Sequence, residues 1–114
     1  MSLELRELGD ILIVDLTGRI SLGEESGGLR ECLRRYLHEH RPKIVLNFRS
    51  VVYMDSTSIG VLAESKALAL DMGSKIRLAE LPPFVEKLLR NVGLHQFLEI
   101  YTTEAEALAD WVKT

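Results

Sequence analysis

At 114 residues, 46% apolar and only 6% aromatic, the chain has the size of one domain built around an aliphatic core. A formal net charge of −3, a pI of about 5.6 and the lack of any basic block exclude the electrostatic footprint of a nucleic-acid binder. No apolar run approaches the roughly 20 residues that span a bilayer, Met1-Ser2-Leu3-Glu4 has neither the cationic start nor the apolar stretch of a signal peptide, and the single Cys32 excludes an intramolecular disulfide, so a cytoplasmic protein without membrane insertion is expected.

Leu3 to Leu8 and the β-rich Ile11 to Leu16 flank Gly9-Asp10, which predicts a hairpin that Thr17-Gly18 ends. Ser21-Leu22-Gly23-Glu24 has the spacing of a capping box. Leu29, Cys32, Leu33, Tyr36 and Leu37 follow at i, i+3, i+4, i+7 and i+8, one face of a helix that Pro42 closes. Lys43 to Phe48 is almost continuously apolar, as a central strand covered on both faces should be. A short loop then leads to a helix beginning at Asp55, with Ile59, Leu62, Ala63, Ala67 and Leu70 on one face, Ser65 pointing elsewhere, and Gly73 in the C′ position. Lys75 to Leu78 reads as a short strand. Pro82-Pro83 starts a third helix, with Val85, Leu88, Leu89 and Val92 facing inward and Gly93 ending it. Phe97 to Ile100 is a last strand. Thr103-Glu104-Ala105-Glu106 caps a helix carrying Ala105, Leu108, Ala109 and Val112.

The order β-β-α-β-α-β-α-β-α implies an α/β fold, a mixed central sheet of about five strands covered by about four helices. No repeat, low-complexity tract or linker interrupts it, so residues 1–114 read as one domain.

Chemistry concentrates where the central strand meets the second helix. Asp55-Ser56-Thr57-Ser58 delivers a carboxylate and three hydroxyls to a helix start, where unpaired N–H groups and the positive dipole end favour anions. Asp55 and Ser56 are equally the residues that cap helices for stability alone. Other candidates carry less. His38-Glu39-His40 has side chains that diverge on a helix and no third ligand near, so no metal is expected. Cys32 lies on an apolar helix face, as a small buried hydrophobe does. Ser56 has no histidine or lysine near it in sequence to activate it, and no Walker loop or G-x-G-x-x-G is present, so the chain reads as a non-enzyme without a cofactor. Gly27-Gly28 marks a loosely begun helix or a close approach for a partner. Phe84 is a core or staple residue or, alternatively, a partner contact.

This element order, with Leu16-Thr17-Gly18-Arg19-Ile20 and Met54-Asp55-Ser56-Thr57-Ser58-Ile59-Gly60, resembles the STAS family, named for sulfate transporters and anti-sigma factor antagonists. The resemblance covers essentially the whole chain and is sharpest at Asp55-Ser56-Thr57 and Ile59-Gly60-Val61-Leu62. It implies a STAS-like single domain that acts as an anti-sigma factor antagonist in a partner-switching system. Ser56, directly after the aspartate, is then the residue that a partner anti-sigma factor, itself a serine kinase, phosphorylates to cause release, and a phosphatase resets the switch. The implied contact surface is Ser21, Leu22, Gly23, Asp55, Ser56, Thr57 and Ser58. Two positions depart from the family pattern: Ser58 stands where glycine is usual, and Ser21 is the nearest equivalent of an aspartate after the Leu-Thr-Gly strand. Both keep open an alternative the family also offers, a non-catalytic subunit that binds an ABC transporter ATPase.

Overall fold

The computed structural model describes residues 2–21 and 24–112, and the side chains of 28–112 within the second span. The expected capping box at Ser21-Leu22-Gly23-Glu24 therefore rests on Leu22 and Gly23, outside the described residues. The elements are β1 (Ser2–Leu8), β2 (Ile11–Ile20), α1 (Glu24–His38), β3 (Lys43–Met54), α2 (Ser56–Met72), β4 (Lys75–Ala79), α3 (Pro83–Asn91), a 3-10 turn (Leu94–Gln96), β5 (Glu99–Tyr101) and α4 (Glu104–Leu108). The five strands lie in sequence order in one sheet; β1 and β2 are antiparallel and the other pairs parallel. The hairpin turn falls at Gly9, whose φ of 60° favours a residue without a Cβ. No helix among the described residues is long and apolar enough to cross a membrane.

Alternation along the strands sorts the core onto the two sheet faces. Leu12, Val14 and Leu16 join Ile44, Leu46, Phe48, Ile76 and Leu78 beneath α1, α2 and α3. The intervening Ile11 and Ile13, with Val45 and Ala79, pack on the other face against Ala107, Leu108 and Trp111 at the C-terminal end. On the first face Leu29, Leu33 and Leu37 are buried as their spacing requires, and Cys32 packs partly buried beside them. Each fully buried leucine or phenylalanine contributes about 1.5–3 kcal/mol of apolar transfer.

Two strands outrun their sequence signals. β2 continues past Thr17-Gly18 to Ile20, and β3 past Phe48 to Met54. They support one another: Thr17 pairs with Ser50, Gly18 with Val51, Arg19 with Tyr53 and Ile20 with Met54. Register shifts at Asp15/Thr17 and Gly18/Arg19 each let β3 advance one residue more than β2. Such bulges re-aim side chains; here Val51 and Met54 are buried while Val52 and Tyr53 face outward. The short loop expected before α2 therefore shrinks to Asp55.

Helix faces also differ in detail. On α2 the buried residues are Ser58, Ile59, Val61, Leu62, Ser65 and Ala69, whereas Ala67 and Leu70 are exposed. Ser65 thus points in, not away. On α3 only Val85 and Leu89 are buried, and Val92 is exposed. The last strand lies at Glu99–Tyr101, leaving Phe97 exposed before it. Arg77, unremarked in sequence, is buried on β4 between the rings of Tyr101 and Trp111 (5.0 and 3.8 Å to the centroids) and donates to Asp110 and to the Ala107 carbonyl.

Candidate functional site

β3 passes into α2 through one residue. Asp55 is the N-cap, extended at φ −100° and ψ 173°, and its Oδ1 accepts from the Ser58 backbone N–H at 2.8 Å. The Ile59 N–H donates to the Asp55 carbonyl at 3.0 Å, beginning the helical ladder. Ser56 and Thr57 occupy the first two helical positions and are exposed. The backbone N–H groups of a first turn have no carbonyl partner within the helix, so an anion on the Ser56 hydroxyl meets the positive end of a 17-residue helix.

Ser58 corrects the expected contact surface. It is 0% exposed, and its Oγ donates to the Ile20 carbonyl at 3.2 Å. The third helical position faces the end of β2, so the hydroxyl ties α2 to the sheet and does not reach the surface. The same Ile20 carbonyl accepts the Asp55 N–H at 3.3 Å.

Ser21, 34 positions before Asp55 in sequence, comes beside it in space. Ile20 and Met54 are register partners, and Ser21 and Asp55 each follow by one residue, so two parallel chain ends leave the sheet together. Leu22 and Gly23 of the expected surface lie outside the described residues.

The tertiary structure adds residues that sequence reasoning did not assemble. A groove beside Ser56 is walled by Tyr53 on one side and by Phe84, Lys87, Leu88 and Asn91 of α3 on the other. Phe84 is 38% exposed on the wall of this groove and is not among the core residues. Lys87 supplies the basic group that Ser56 lacks among its sequence neighbours, although no hydrogen bond joins the two. Arg19 lies over the Tyr53 ring at 4.4 Å from its centroid. Among the described residues neither Arg19 nor Lys87 has a carboxylate within 4.0 Å, unlike Arg6, Arg30, Arg41 and Arg90. The only local sequence signal for this wall was Pro82-Pro83 preceding Phe84. His38 ends α1 while His40 sits beyond it at a φ of 59°, and no group of three potential metal ligands occurs among the described residues.

The STAS domain family model matches residues 2–107. The chain is 29% identical over 114 residues to an anti-sigma F factor antagonist of Paenibacillus polymyxa, covering 96% of this chain and 94% of that one. Its fold is similar to the crystal structure of a Thermotoga maritima protein (TM-score 0.87, 22% identity, 95% and 92% of the two chains). It is also similar to the Bacillus cell fate determinant SpoIIAA in its phosphorylated form (TM-score 0.74, 18% identity, 97% and 100%).

Proposed function

The chain belongs to the STAS domain family, and on that premise we propose that it is an anti-sigma factor antagonist working as a phospho-switch without catalysis of its own. Unmodified, it binds an anti-sigma factor that is also a serine kinase. Phosphorylation of Ser56 releases it, and a phosphatase restores binding. The kinase's nucleotide belongs to the partner, and the exchange takes place in the cytoplasm. Contact centres on Ser21, Asp55, Ser56 and Thr57 and extends into the groove of Tyr53 and Phe84.

The single observation that carries this reading is the exposed Ser56 hydroxyl on the capped end of α2, at the rim of a groove with apolar walls. A phosphate brings about −1.5 to −2 charges and three acceptor oxygens. The helix end stabilises it by about 0.3–1 kcal/mol when exposed, and Asp55 opposes it by like-charge repulsion. The fold therefore changes little while the surface changes sign. A partner seated over Ser56 meets a dianion stripped of water, and each ~1.4 kcal/mol lost there weakens binding tenfold. The relative from Paenibacillus polymyxa, named an anti-sigma F factor antagonist, supports the choice of partner class.

The test is the affinity of the co-purified partner for wild type, Ser56→Ala and Ser56→Asp. Binding retained by Ser56→Ala and weakened at least tenfold by Ser56→Asp is expected. Equal affinity across the three refutes the switch.

A further inference from the structure

We propose that Lys87 is the intramolecular counter-ion of a phosphate on Ser56, so that modification bridges α2 to α3 and closes the groove between them. The inference rests on the phospho-switch reading of Ser56 and adds how the docking surface is withdrawn.

Ser56 and Lys87 line one groove from opposite elements, the first turn of α2 and the middle of α3. Lys87 is exposed and, among the described residues, has no carboxylate partner. Its acidic neighbour on the same helix, Glu86, is already engaged by Arg90 at 3.3 Å. A lysine ammonium on a flexible four-carbon stem is a mobile point charge suited to finding a phosphate. Three other groups bear on that phosphate. Asp55 repels it, the first-turn N–H groups of α2 attract it, and Arg19 is a second cation whose guanidinium is stacked on Tyr53. The stacked guanidinium is committed to a ring face, whereas Lys87 is not, which selects Lys87.

Two states of one surface follow. Without phosphate the groove is open, with Tyr53, Phe84 and Leu88 on its walls and an uncommitted cation at its rim. With phosphate the cation is taken, and the new bridge crosses the mouth of the groove above Phe84 and Leu88. Release then comes from covering apolar contacts as well as from repulsion by the added charge.

The test uses the full chain with phosphoserine encoded at position 56, so it needs no kinase. The second ionisation of the phosphate is followed by phosphorus NMR in the parent, Lys87→Gln, Lys87→Arg and Arg19→Gln backgrounds. One unit charge about 5 Å away in a water-like medium changes that ionisation constant about fourfold. Lys87→Gln is expected to weaken the ionisation by about that factor, Lys87→Arg to preserve it, and Arg19→Gln to have a smaller effect. In the parent alone, introducing the phosphate is also expected to move the backbone amide signals of α3 around Lys87. An unchanged constant in Lys87→Gln overturns the pairing, as does an effect of Arg19→Gln equal to or larger than that of Lys87→Gln. Failure of Lys87→Arg to restore the parent value overturns it too. These outcomes are separate from partner release: the titration contains no partner, and the affinity series at Ser56 contains no change at Lys87.

Discussion

Ser58 allows a quantitative prediction because its environment is fully specified. Its Oγ donates at 3.2 Å to the Ile20 carbonyl, which also accepts the Asp55 N–H at 3.3 Å. Ser58→Ala therefore removes one buried hydrogen bond, worth about 0.5–1.5 kcal/mol net. It does not leave an orphaned carbonyl, whose desolvation would cost about 1–3 kcal/mol. Alanine's higher helix propensity returns about 0.5 kcal/mol. The expected loss is about 0.5 kcal/mol. Ser58→Gly, which installs the residue usual in the family, loses the same bond, gives up a buried methylene worth about 0.8 kcal/mol, and lacks alanine's helical preference by about 1 kcal/mol. Its expected loss is about 2 kcal/mol. Urea unfolding followed by far-UV circular dichroism separates the two. Equal losses for the two variants, or more than about 2 kcal/mol for Ser58→Ala, would show that the hydroxyl carries more than this one bond and refute the reasoning. Partner affinity should be unchanged in Ser58→Ala, since the hydroxyl it removes never reaches the surface.

Two further predictions concern the opposite face of the sheet. Arg77→Ala should cost about 3 kcal/mol, the low end for breaking a buried pair, because Arg77 is 4% exposed but the Asp110 and Glu99 carboxylates left behind are 69% and 35% exposed and stay solvated. A red shift of Trp111 emission should accompany it as truncation opens the covered ring face to water. Unchanged stability would show that the ring and hydrogen-bond contacts of Arg77 do not stabilise the fold. Glu104 is held below the ordinary carboxylate range, chiefly by hydrogen bonds from Arg6 and further by Asn47. Its folded-state pKa is depressed, so its contribution is present above the unfolded value and lost as pH falls through the folded one. Stability should decline as pH falls below the ordinary carboxylate range, and Glu104→Gln should flatten that decline. Parallel urea midpoints across that window for both proteins are the check, and identical slopes would remove Glu104 as a cause.

Local rules written into the chain decided its elements. Gly9 turns the first hairpin and Asp55 accepts from Ser58 N–H as an N-cap. Gly73 closes α2 at a φ of 71°, its N–H directed at the Ala69 and Leu70 carbonyls, while Pro83 opens α3. Each acts through atoms within one turn of itself, so a single sequence suffices to see it. The heptad-like face of α1 and the apolar run of β3 were legible for the same reason, and the run Asp55-Ser56-Thr57 pointed to the family.

What lay beyond reach depended on groups far apart in the chain. The extensions of β2 and β3 consist of residues such as Thr17, Gly18, Ser50 and Tyr53, with no apolar period, and are stabilised by each other's ladder. Burial of Ser58 and Ser65, and exposure of Leu70, follow from how α2 packs on the sheet and against α1, which helical periodicity does not encode. Lys87 stands 31 positions from Ser56, and only the packing of α3 beside the β3–α2 junction brings them to one groove. Backbone conformation is chosen by short-range sterics and hydrogen bonds; a surface is made by side chains whose neighbours are set by the closure of the whole sheet.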